Sequence, residues 1–339
     1  GRRADEAHRW GFQVIREVKG KDGEVQVWAP ISRDDASFFA QMGVLQGMSG
    51  ISTSRNIEVL PTVTAIQYGE IDPTPGAFVN ESTDPDAGVS LKYGITPNLT
   101  ADFTINPDFS QIESDEAQIE VNQRFPVRYR ELRPFFLEGA EIFRIPVPVT
   151  LVHTRTIVDP DWGLKLTGKV GRVALGVVAA DDRAPGKVED PNDPASGEKA
   201  HTFIGRAVVD LYAQSSLGAI VTNREFLDGH SRLFDLDGDL QITPTLVYRF
   251  RAIHTLNKEP GGEEKGGHHY TSRFVRTGRH VNWDLFFYQI SPGLDTKVGF
   301  VRRTDVRQGT TTLGYRFWPE GSWIINWGPS VNYMRNYDY

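Results

Sequence analysis

Thr312-Leu313-Gly314-Tyr315-Arg316-Phe317 is the stretch whose reading decides the fold. After a turn it is followed by Trp323, Ile325, Trp327, Val331 and Tyr333, set against Asn326, Gly328, Ser330 and Asn332. Extended chain turns successive side chains to opposite faces, so each segment has one apolar and one polar face. The same alternation runs back to Ile57 in units of roughly ten residues separated by turns. A strand of about ten residues, at about 3.3 Å each and tilted by about 45°, rises roughly 23 Å, the height of the apolar band of an outer-membrane barrel. The expected fold is therefore all-β: an antiparallel transmembrane β-barrel. The alternative is a large soluble antiparallel β protein, which shows the same alternation.

Composition narrows the choice. The 339 residues suffice for two ordinary domains or one large barrel, and 33 glycines and 20 prolines supply many tight turns. Mean hydropathy is −0.38. No stretch approaches the roughly 18 continuous apolar residues of a membrane helix, so any bilayer span must be made of strands. The net charge of −7 argues against a nucleic-acid partner, which calls for a basic surface. With no cysteine, disulfides, thiolate metal sites and cysteine catalysis are excluded. Gly1 to Trp10 is polar and basic and is no signal peptide, so the chain is expected to be processed or truncated at its start.

Two parts differ in texture. Residues 1–56 read as the remnant of a β-sandwich domain plus a linker, with strands at Trp10–Val18 and Glu24–Trp28 around a Lys-Gly-Lys-Asp-Gly turn. Residues 57–339 read as the barrel, with about sixteen strands in view. These run from 57–68 and 87–95 through 117–125, 150–158, 231–237, 240–251 and 296–305 to 309–318 and 323–335. The connections sort by length. Residues 69–86, 181–201 and 252–267 form long polar loops on one rim, with 319–322 also placed there, and turns such as Gly171 and Gly238-Asp239 lie on the other. That is the habit of bacterial barrels. Residues 126–149 are the exception, being long yet on the short-turn side. They carry Arg128, Arg130, Arg133, Glu131, Glu138 and Glu141 around Pro134-Phe135-Phe136-Leu137. Such a segment can fold back as a plug, its arginines meeting Asp210 or Asp284 and Glu138 meeting Lys165 or Lys169. An ordinary turn region is the alternative.

Four runs carry a family resemblance: Asn106-Pro107-Asp108-Phe109-Ser110-Gln111-Ile112-Glu113-Ser114-Asp115, Arg133-Pro134-Phe135-Phe136-Leu137-Glu138-Gly139, Leu164–Lys169, and Ser216–Arg224. Together they resemble an uncharacterised outer-membrane family in which a domain like carbohydrate-binding family 9 precedes a barrel of unknown function. The resemblance implies barrel architecture and a place in the bacterial outer membrane, and supplies no catalytic residues. It implies as partners the lipid bilayer with its lipopolysaccharide, the barrel-assembly machinery and a saccharide ligand. Family members tend to continue further, whereas Tyr333, Tyr337 and Tyr339 resemble the aromatic ending that the assembly machinery reads; both readings of the C-terminus stay open.

Candidate chemistry is sparse. Asp108, Glu113, Asp115 and Glu116 could gather oxygens for a structural calcium, the only cofactor suggested, or form a solvated acidic loop. Asp235-Leu236-Asp237-Gly238-Asp239 looks like a calcium loop but lacks the downstream glutamate, and Asp-Gly favours a hairpin turn. His268 and His269 should point to opposite faces and so cannot share a metal ion. His268 and Ser272 have a same-face spacing without an evident acidic orienter. The expected role is non-enzymatic passage or surface capture of a solute, with a saccharide in view. The alternatives are a surface carbohydrate-binding protein anchored by its barrel, acting in glycan degradation, and a glycan- or lipid-active hydrolase.

Overall fold

The computed structural model describes residues 8–17, 25–31, 41–48, 57–67, 69–71, 76, 78–80, 83–109, 129–145, 149–319 and 323–339. Strands dominate the described residues, with one four-residue α-helix and three short 3₁₀ turns. Thirteen strands form one antiparallel sheet: β1 (Ile57–Ile66), β2 (Asp84–Thr96), β3 (Leu99–Ile105), β4 (Pro160–Val170), β5 (Val173–Asp182), β6 (Ala200–Asp210), β7 (Ser216–Phe226), β8 (Gly229–Thr243), β9 (Leu246–Lys258), β10 (Glu264–Thr277), β11 (Val281–Ile290), β12 (Val306–Tyr315) and β13 (Ser330–Tyr337). Every strand pairs with its neighbours in sequence, so the sheet is a single meander with β1 and β13 at its edges. Near the N-terminus, Ile15–Glu17 pairs with Val25–Val27, the turn expected between them lying outside the described residues, and His8–Phe12 pairs with Gly43–Met48.

The two faces have reversed polarity for a protein in water. One face carries Val59, Leu91, Leu164, Phe203, Val221, Phe234, Leu236, Leu285, Phe287, Leu313 and Tyr333, all exposed. The ladders align them across strands: Leu91 opposes Phe103, Phe103 opposes Leu164, Val221 opposes Phe234, and Leu313 opposes Val331. The opposite face buries Asp102, Lys165, Arg206, Asp235, Arg251 and His269. Period-two alternation forces this split, since shifting any strand by one residue would exchange its faces. Val281, Trp283, Leu285 and Phe287 accordingly share the apolar face, with Asn282 and Asp284 on the polar one.

The core lies on the polar face, under two chain segments that double back onto it. Phe136, Phe143 and Ile157 pack with Val178, Ala180 and Ile204 of β5 and β6, and Val298 joins them. Val149, Leu151 and Leu294 pack with Ile220, Leu233, Ile253, Ile290 and Val306 from β7, β8, β9, β11 and β12. The two segments are tied by a short ladder, Val149–Thr150 against Phe300–Val301.

Several expected strands are corrected by this arrangement. Residues 150–158 add no strand to the sheet: they hold the end of that short ladder and the 3₁₀ turn Thr154–Thr156. Their alternation serves burial of Leu151 and Ile157 against the sheet. Within 296–305 only Phe300–Val301 is strand. Residues 117–125 lie outside the described residues, and β3 pairs directly with β4, so no strand stands between those two. Asp235–Asp239 is no turn. The β7 and β8 ladders run straight through it, and the reversal falls at Pro244-Thr245, where proline cannot donate to a ladder.

The sorting of connections stands with new boundaries. One rim has 97–98, 171–172, 211–215, 244–245 and 278–280; the other has 67–83, 106–159, 183–199, 227–228, 259–263 and 291–305. The sheet has thirteen strands against about sixteen expected, and the difference of three moves the remaining exceptions. Residues 126–149 belong to the rim of the long connections, and 316–329 to the rim of the short ones.

Candidate functional site

The doubled-back segment, 129–157, is anchored at Arg133, which is 1% exposed. Its guanidinium donates to Glu131 through Nε and Nη2, both at 2.8 Å, to the carbonyl of Ile157 at 2.6 Å and to that of Thr154 at 2.8 Å. The ring of Phe136 lies 4.4 Å below it. A charge is tolerated at this depth only when paired and hydrogen-bonded around its whole edge, as here. Burial pushes the Glu131 carboxyl up, but Arg133 and a 2.6 Å hydrogen bond from Thr154 outweigh it and hold it below the usual carboxylate range.

Pro134 then opens a single helical turn, Pro134–Leu137, where its missing N–H costs nothing. Gly139 reverses the chain at φ 68° and leads into the 3₁₀ turn Ala140–Phe143. A side chain here would be strained, and a Cβ would stand 2.5 Å from the Thr167 hydroxyl of β4. The sheet makes matching room. A Cβ on Gly163 would meet the Phe135 ring at 3.0 Å, and one on Gly176 would meet Ile142 and Phe143 at 2.7 Å. Lys165 donates to the Phe135 carbonyl at 2.5 Å and pairs with Asp102 at 3.2 Å. Lys92 of β2 pairs with Glu138.

Beyond the segment, the polar face carries an ion cluster across four strands. Arg206 of β6 pairs with Asp237 of β8, reaching over Gly218 of β7, where a Cβ would stand 2.6 Å from the guanidinium. Arg251 of β9 lies 3.1 Å from Asp235. Charges of both signs therefore neutralise one another along the covered face.

The candidate residues sort as follows. Arg133, Phe135, Phe136 and Glu138 are brought together on the polar face, and Arg130 stands exposed beside them. Arg128 lies outside the described residues. The expected partners are corrected. Asp210 is held by Lys169 and Asp284 by Arg273, so neither receives the segment's arginines. Glu138 meets Lys92 in place of Lys165 or Lys169. Of the acidic loop only Asp108 is described, and Glu113, Asp115 and Glu116 are not. Among the described residues no three His, Cys, Asp or Glu side chains converge on a metal position. His269 is buried with Nδ1 2.9 Å from the Gln289 carbonyl, while His268 on the other face meets Tyr339. Sequence reasoning missed Glu131 as the partner of Arg133, although their spacing of two puts both on one side of extended chain. It also missed Lys92, Asp102 and the Asp235–Arg251 cluster, which only strand register brings together.

Against known families, residues 71–157 match one described as Domain of unknown function (DUF5916). The match spans less than half of the chain. It contains β2, β3 and the whole docked segment, including the Asn106–Asp115 and Arg133–Gly139 runs. No curated protein and no solved structure matches the chain.

Proposed function

We propose that the sheet is the wall of a bacterial outer-membrane β-barrel, its apolar face in lipid and its polar face lining an interior through which a polar solute passes or in which it is captured. The observation that carries this reading is the reversed polarity. Soluble proteins rarely leave contiguous apolar patches larger than a few hundred Å² in water, and here one face of the meander presents exposed apolar side chains from Val59 across to Tyr333. A lysine or arginine facing lipid at mid-bilayer costs about 2–4 kcal/mol, so Lys165, Arg206 and Arg251 belong inside. Among the described residues no helix is long and apolar enough to cross a membrane. In the closed wall the edges β1 and β13 are joined, by each other or through further strands.

In this reading the segment 129–157 closes the interior. Residues 8–48, with their two small ladders, then belong to a separate β domain of the carbohydrate-binding kind, which makes a saccharide the solute to try first. Conductance of the purified protein in a planar lipid bilayer is the test. Discrete conducting steps support a pore. Stable insertion without conductance leaves capture at an anchored surface, and failure to insert contradicts the membrane wall.

A further inference from the structure

We propose that the cavity between the docked segment and the sheet binds an oxyanion-bearing solute of about disaccharide size, with Arg130 and Arg144 as its charge contacts; this rests on the reading of the sheet as a solute-handling wall. The cavity measures about 770 Å³, and small-molecule sites typically span about 300–1,000 Å³. Its floor is apolar and buried, made by Phe136, Phe143, Leu151 and Val178. A sugar ring or another flat carbon face can pack on such a floor.

The charges on its wall do not balance. Arg130, Arg144 and Lys165 line it, against the single carboxylate of Glu131. Both oxygens of Glu131 are already taken by Arg133, and Lys165 by Asp102. Two guanidinium groups remain, and among the described residues neither has an ion-pair partner. A guanidinium presents paired donors in a plane, which matches the two oxygens of a carboxylate or phosphate better than any neutral group. Both arginines sit on the docked segment itself, so the segment that closes the interior also carries the recognition.

The test uses the full chain in lipid nanodiscs and isothermal titration with digalacturonate and with its uncharged twin, digalactose. The acidic disaccharide is expected to bind at least about tenfold more tightly, and R130Q/R144Q to lose about tenfold per arginine. R130K/R144K should recover part of that loss, since charge returns without the planar fork. Equal affinity of the unaltered protein for both disaccharides overturns the proposal, as does unchanged digalacturonate affinity in the R130Q/R144Q variant. A protein that inserts and conducts yet treats the two sugars alike removes this inference alone. One that fails to insert removes the reading beneath it.

Discussion

Arg133 concentrates the energetics of the docked segment. Four hydrogen bonds and an aromatic face surround a fully buried guanidinium. Replacing it by alanine strands the Glu131 carboxylate in a dry site, and losing one partner of a buried pair typically costs about 3–5 kcal/mol. Arg133→Ala should therefore release the segment, read as faster amide exchange and protease cleavage between 131 and 157 with the strands still protected. Unchanged protection would remove Arg133 from that role. Acid should act at the same point. The Glu131 carboxyl is held below its ordinary value, so its contribution is complete above the unfolded pKa of about 4.3. That contribution is lost as pH falls through the lower folded value. Amide exchange in the segment should accelerate below about pH 4 in the unaltered protein, and Glu131→Gln should flatten the dependence. That Arg133, Phe135, Phe136 and Glu138 would pack together was legible because charge and aromatics side by side need burial with partners. Their partners were not. Glu138 meets Lys92, 46 residues away, and nothing in a local window encodes that distance.

At the scale of the element, alternation does most of the work and turn chemistry misleads once. Strands such as β4, β5, β6, β7 and β11 were readable because a period of two persists wherever one face is apolar. Asp235–Asp239 read as a hairpin because Asp-Gly favours one, yet β8 continues through it. Asp235 and Asp237 are needed opposite Arg206 and Arg251, and that pairing outweighs local preference. Residues 150–158 alternate for a different reason, burial beneath the sheet. Two substitutions probe the elements. Gly176→Val places methyl groups where Ile142 and Phe143 already pack at 2.7 Å from the Cβ position. Overpacking of this kind costs about 1–3 kcal/mol, and the segment should again exchange faster while the sheet melts as before. Leu285→Arg should impair insertion into lipid vesicles by about 2–4 kcal/mol, whereas Asn282→Arg on the opposite face should insert normally. Equal tolerance at both positions would place neither face in lipid.

At the scale of the whole molecule, the proposed wall keeps its charges inside and carries a segment across its interior. Fold class was legible from alternation and from the sorted connections. The strand count and the rim to which the segment belongs were not, because apolar stretches that pack on the polar face, such as 150–158, look like sheet strands in sequence. Deleting 130–145 from an inserted protein should raise its conductance; unchanged conductance in a correctly inserted deletion would leave the segment as a loop. The most direct measurement of the central claim uses Thr310, Thr311, Thr312 and Leu313 on β12. The chain has no cysteine, so single cysteines at these positions can carry nitroxide labels without background. Three consecutive threonines differ only in the face they present: Thr311 pairs between Leu285 and Tyr333, while Thr312 pairs between Asp284 and Asn332. In lipid vesicles, labels at 311 and 313 should be relaxed chiefly by dissolved oxygen, and those at 310 and 312 chiefly by a water-soluble nickel chelate. Equal access of the nickel chelate to all four positions would contradict a membrane wall.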